Sequence, residues 1–213
     1  MTRLRLFDLA PSPNNVKVRL ALGYKGIAYE RVPVDPADRA PILEATGQPL
    51  TPAIEHTLGE GVTVRLFDSG AILRYLDANF PDTPRLFSAD RQTMGAIERA
   101  ELRVRTEIQP CIGRIFGQFF APSVDASECA AASAALHAAT AEIEERLSEA
   151  DTLVGDTITA ADVTCAPFVQ YGRLTANDWP EGSIQRFFAE HLALGPDRER
   201  TRAWAARLHE FDR

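Results

Sequence analysis

Three short stretches combine residue types that can do chemistry. Ser12-Pro13-Asn14-Asn15 sets a hydroxyl and an amide side chain just ahead of an apolar run. Ser and Asn are ordinary caps for the first turn of a helix. They are also placed to donate to an anion, because a helix N-terminus carries free amides and a partial positive charge. A thiolate or a carboxylate is the kind of anion they would serve. Thr51-Pro52 enters a short strand-like run. A trans proline at a sheet edge accounts for it, whereas a cis bond would turn the Thr51 backbone outward to pair with an extended ligand. Asp68-Ser69-Gly70-Ala71-Ile72 opens a helical run straight after a strand. Capping explains Asp68 and Ser69 equally well. Yet Ser69 and the helix amides can take a carboxylate while Asp68 takes an ammonium, which would read both ends of an amino acid.

Alternating and helical periodicities supply the elements that must position these residues. Leu4 and Leu6 alternate with Arg3 and Arg5, so a half-buried strand ends at the breaker cluster Ala10 to Asn15. Residues 16–23 read as a helix that Gly23 or Gly26 can close. Residues 29–34 read as a second strand, and 41–45 as a short helix. Strands over 52–56 and 62–67 flank a Gly59-Glu60-Gly61 turn, and Ala71, Ile72, Tyr75 and Leu76 share one helical face. This density of mixed strands and helices predicts a small α/β layer over residues 1–78. Residues 79–89, with Pro81 and Pro84, read as a linker.

Residues 90–213 predict an all-α domain. One helical run extends from Met94 to Phe119 with a kink or break at Pro110. Further helices are expected over 126–147, 159–174 and 196–211, the last with Trp204, Leu208 and Phe211 turned inward. His56, His137, His191 and His209 have no metal-like spacing and are expected at surfaces or helix ends. No metal site is expected.

The chain has 213 residues, 45% of them hydrophobic, which suffices for a buried core without metal or disulfide staples. Its 3 cysteines include no Cys-x-x-Cys pair, which fits a reducing compartment. The formal charge of −7 argues against nucleic acid as a partner. Residues 1–80 carry nine Lys and Arg against nine Asp and Glu, so the deficit lies wholly beyond them. The neutral part is the better host for a small anion. No signal-like N-terminus and no membrane-length apolar stretch stands out, so a cytoplasmic protein is expected.

The order of these motifs, an α/β unit followed by an all-helical part, resembles the cytosolic glutathione transferases, with a thioredoxin-like first domain. Two stretches reinforce the resemblance. Asp68-Ser69-Gly70-Ala71-Ile72-Leu73-Arg74-Tyr75-Leu76 is similar to the family's acidic-Ser-x-Ala-Ile-x-x-Tyr-Leu stretch. Gly155 to Asp162 is similar to its Gly-x-x-x-(Ser/Thr)-x-x-Asp motif, which is physically a capping box of Thr159 and Asp162.

The resemblance implies that glutathione, as co-substrate, pairs its cysteine with the Thr51 backbone beside a cis Pro52 and its γ-glutamyl end with Asp68 and Ser69. The Ser-Pro-Asn stretch is most like the serine-type and bacterial nu-like members. That makes Ser12 the first and Asn14 the second candidate for lowering the pKa of the thiol, which is about 8.5 when free. The family's glycine-carboxylate lysine position holds Leu50, so that contact falls to Arg39 or Gln48 or is not made. Phe116, Phe119, Phe120 and Tyr171 are the candidates for an electrophile pocket, although aromatic residues at helical spacing also read as core. A homodimer acting on small molecules in detoxification follows from the family. Two other expectations remain open: a glutathione-dependent peroxide or disulfide reductase, and a non-catalytic binding or assembly module.

Overall fold

The computed structural model describes residues 3–212. β1 (Arg3–Asp8) buries Leu4 and Leu6 on one face, as its alternation requires, and Phe7 on the other. It pairs in parallel with β2 (Glu30–Pro33) and antiparallel with β3 (Ala53–Thr57). β3 pairs antiparallel with β4 (Thr63–Phe67), giving the mixed order β2-β1-β3-β4. The parallel pair needs a crossover, which α1 (Pro13–Lys25) supplies. α2 (Ala40–Thr46) lays Ile42 into a cluster with Phe7, Val34 and Ala53. α3 (Ser69–Asn79) buries Ile72, Leu73 and Leu76.

Two charged clusters are buried in this unit. Lys25 Nζ donates to Asp77 at 2.7 Å, and Asp77 also accepts from the amides of Leu86 and Phe87. Asp8 accepts from Arg19 and Arg31. Such carboxylates are tolerated inside because every charge meets donors.

The chain divides into two units. The first contains the residues up to Phe87 together with Phe211 and Asp212, and the second runs from Ser88 to Glu210. The inward place expected for Phe211 in the helical part is therefore corrected. The last helix ends at His209, and the Phe211 ring meets Tyr24 edge-on at 5.4 Å. Gly23 does not close α1. A Cβ there would lie 1.9 Å from the Phe211 carbonyl oxygen, so the tail's approach requires glycine, while Gly26 caps the helix at φ 67°.

The helical unit contains α4 (Arg91–Arg103), α5 (Gln109–Phe119), α6 (Ala126–Ala139), α7 (Ala141–Arg146), α8 (Ala160–Val169), α9 (Ile184–His191) and α10 (Glu199–His209). Ahead of Pro110 the chain widens into a π-helical turn over Val104–Ile108, which accommodates the missing N–H where a kink was expected. The helix expected over 126–147 breaks at buried Thr140, whose hydroxyl donates to His137 O and accepts from Arg198 Nε. The one expected over 159–174 tightens into a 3-10 turn after Val169. α9 was not anticipated. Its Ser183 cap accepts from Arg186 N, but the preceding Pro180-Glu181-Gly182 run reads only as loop. Asp162 completes the capping box with Thr159 and accepts from Leu153 N and Trp204 Nε1 as well. Among the described residues no helix is long and apolar enough to cross a membrane.

Candidate active site

β1 delivers the chain to a tight turn in which the Ala10–Pro11 peptide is cis and Ser12 N donates to Leu9 O at 3.0 Å. Ser12 is the N-cap of α1, with Pro13 in the first turn, where a missing N–H costs nothing. Its hydroxyl caps no amide of the helix and so is not committed to a structural bond there. Asn14 is half-buried, and its Oδ1 accepts from Ser69 Oγ at 3.3 Å. The first and third stretches thus meet side chain to side chain.

Asn15 joins the first stretch to the second. It is 0% exposed, its Oδ1 accepts from Leu9 N at 3.0 Å, and its Nδ2 donates to Thr51 Oγ1 at 3.2 Å. The Thr51–Pro52 peptide is cis. Asn15 was not among the residues expected to matter. The signal was its phase: it shares a helical face with Val18 and Leu22, so its carboxamide must turn inward and find partners.

Asp68 stands at φ 72°, a left-handed conformation rare for a residue with a side chain. Such a conformation costs about 1–3 kcal/mol and collects at functional positions. Its carboxylate accepts from Ala71 N at 2.9 Å, which offsets part of that cost by capping α3.

The two candidates for a ligand carboxylate differ. Gln48 is turned onto its own loop: Nε2 donates to Thr46 Oγ1 and Leu50 O, and Oε1 accepts from Leu50 N at 2.7 Å. Arg39 precedes α2, and among the described residues no hydrogen bond or ion pair engages its side chain or ties it to the cluster. Leu50 is 67% exposed.

In the helical unit the expected aromatic residues do assemble. Phe116, Phe119 and Phe120 lie with ring centroids 4.9 Å apart along the chain of contacts, and Phe116 and Phe120 are 50% and 65% exposed. Tyr171 is buried and meets Phe188 edge-on, so it backs the cluster rather than lining its surface. Phe187 and Phe188 of α9 extend the group, and they escaped notice together with their helix. A separate cavity of about 460 Å³ in this unit is lined by Ala96, Arg99, Val104, Ile143 and Cys165 among others, and by none of the expected aromatics.

His56 departs from its expected surface position. It is buried on β3, stacks on Phe80, and faces the Tyr75 hydroxyl through Nδ1 at 2.8 Å. Burial pushes its pKa down from 6.5. No group of three or more metal-binding side chains is assembled among the described residues.

A family model for the glutathione S-transferase N-terminal domain matches residues 6–84, and one for the C-terminal domain of the same family matches 105–186. Comparison by sequence with curated proteins finds no match. Among solved structures the chain is similar to a glutathione S-transferase from Methylobacterium radiotolerans in complex with glutathione sulfonate. That likeness has 25% identity and a TM-score of 0.68, covering 97% of this chain and 90% of that one. Rice GST1 in complex with glutathione is 21% identical, with a TM-score of 0.74 and coverages of 99% and 89%. Ure2p in complex with glutathione is 20% identical, with a TM-score of 0.73 and coverages of 97% and 89%. The four-stranded mixed sheet with its helices is a thioredoxin-like domain, and a helical domain follows it. With both halves of the family's architecture matched in order along it, this chain belongs to the glutathione S-transferase family.

Proposed function

We propose that the protein is a glutathione transferase of the serine-type, nu-like kind, which binds glutathione on its first unit and presents the sulfur as a thiolate to a small apolar electrophile. The observation that carries this reading is the hydrogen-bonded junction of three stretches far apart in sequence, Asn14 with Ser69 and Asn15 with Thr51. In it Ser12 supplies an uncommitted hydroxyl, and the Asn14 carboxamide, its oxygen held by Ser69, offers its N–H groups. Two donors at a helix start favour the charged form of a thiol. Each unit by which they lower its pKa corresponds to about 1.4 kcal/mol.

The remaining roles follow from chemistry. The Thr51 backbone beside Pro52 pairs with the cysteinyl residue of the tripeptide. Asp68 and Ser69 meet its γ-glutamyl end. With Gln48 engaged in its own loop, Arg39 is the proposed partner of the glycyl carboxylate. Phe116, Phe119 and Phe120, backed by Tyr171, offer an apolar surface to the electrophile. The reading includes a cytoplasmic homodimer acting in detoxification.

Titration of the protein with glutathione across pH, following thiolate absorbance, tests the proposal. Saturable binding with a lowered thiol pKa, lost in Ser12→Ala or Asn14→Ala, supports it and names the activating residue. Binding at an unshifted pKa favours a binding module, a reading that the likeness to the nitrogen regulation fragment of the yeast prion protein Ure2p keeps in view. Turnover of peroxides or disulfides that persists when Cys111, Cys129 and Cys165 are all replaced by Ala would favour a reductase in which glutathione carries the electrons. All three are buried and unpaired, so the protein itself offers no dithiol.

A further inference from the structure

We infer that Asn15 is a positioning residue: its buried carboxamide sets the spacing between the start of α1 and the Thr51 edge, and so couples thiol activation to tripeptide binding. The inference rests on the glutathione reading above.

Asn15 is fully buried, on the helical face that it shares with the equally buried Val18 and Leu22. Leu9 N can only donate, so the Asn15 oxygen must face it and the Nδ2 group must face Thr51. Thr51 Oγ1 therefore accepts from Asn15, which leaves its own proton for another acceptor. One carboxamide thus fixes the turn before Ser12 and the residue before Pro52 at once.

Stability alone does not account for this arrangement. Burying a carboxamide costs about what two hydrogen bonds return, and an apolar pair of the same shape would be near neutral in comparison. Apolar contact is non-directional, however, whereas hydrogen bonds fix distance and angle. Direction matters here because Ser12 and Asn14 act on the sulfur of a ligand whose backbone is held at Thr51. A displacement of about 1 Å between activating group and reacting atom can cost about 100-fold in rate. The field of a helix start likewise fades within its first turn.

The test uses the whole protein with Asn15→Ala, Thr51→Val, the double variant and Thr51→Ser. Glutathione affinity, the pKa of the bound thiol and the melting temperature are measured for each. Asn15→Ala and Thr51→Val are each expected to weaken binding about tenfold, the effect of losing about one hydrogen bond, and to raise the bound thiol pKa. The double variant is expected to be no worse than Asn15→Ala alone, because the bond that Thr51→Val removes is already gone there. Thr51→Ser keeps the Oγ atom and is expected to recover most of the affinity and of the thiol pKa shift that Thr51→Val loses.

Changes confined to the melting temperature, or fully additive effects on affinity and pKa, would overturn the positioning role. Should Asn15→Ala fail to fold, Thr51→Val still decides, since it is isosteric and leaves the bond to Leu9 in place. Absence of glutathione binding in the parent protein itself would overturn the functional reading, and this inference with it.

Discussion

Arg19, in the middle of α1, donates from Nε to Oδ1 of Asp212 at 2.6 Å and from a terminal nitrogen to Oδ2 at 3.0 Å. The helix that opens at the candidate site is thereby fastened to residues that follow the last helix in sequence. Burial disfavours the Arg19 charge, but Asp212 and Asp8 outweigh it and raise its pKa.

Removing the carboxylate of Asp212 strands a buried guanidinium with only Asp8. Asp212→Ala is expected to lower the stability of the first unit by about 1–3 kcal/mol, less than for a fully buried pair because Asp212 is partly exposed. Urea denaturation followed by a probe in that unit measures it, and an unchanged midpoint would show that the pair contributes nothing.

The Lys25–Asp77 pair should respond asymmetrically. Lys25→Met leaves Asp77 with the amides of Leu86 and Phe87, whereas Asp77→Ala leaves a buried ammonium with only the Pro84 carbonyl and deprives two amides of their acceptor. The second substitution is expected to cost about 3–5 kcal/mol and the first clearly less. Equal losses in chemical denaturation would contradict the assignment.

His56 makes stability fall with acid. Its folded-state pKa lies below 6.5, so as pH drops through about 6.5 the unfolded chain takes up a proton that the folded one refuses. The loss approaches at most about 1.4 kcal/mol per further pH unit, and above that pH the contribution is level. Denaturation at pH 7.5 and 5.5 should show a difference that shrinks in His56→Gln; an identical difference would assign it to other groups.

Phe120 and Tyr171 should separate surface from support. Phe120→Ala removes a largely exposed ring and is expected to raise KM for apolar electrophiles while shifting the melting temperature little. Tyr171→Ala empties a buried position and is expected to cost about 3–5 kcal/mol. A Phe120→Ala variant with unaltered KM for every apolar electrophile would remove that ring from the proposed surface.

Periodicity exposed the elements of the first unit because each carries its own local signal. Leu4 and Leu6 announce β1 by alternation, and breakers bound α1 and β4. Ser12, Thr51 and Ser69 were legible as a set because caps and an X-Pro step leave local marks. Asn15 was not, since its importance lies in a partner 36 residues away. The break at Thr140 escaped for a similar reason: it depends on Arg198, contributed by a distant part of the chain. The ends of α8 and α10 were blurred because Leu174 and Phe211 keep the helical phase after the hydrogen-bond ladder has stopped.

Cys111, Cys129 and Cys165 are all buried, and burial raises the pKa of each thiol, that of Cys165 to about 12. A catalyst that handles alkylating or oxidising compounds is itself exposed to them. Here the protein's own sulfhydryls are kept protonated and out of reach, so under the proposed function the reactive thiolate would belong to the expendable tripeptide, which would leave with its adduct. In such a reaction the polypeptide would survive a turnover that its proposed cosubstrate does not.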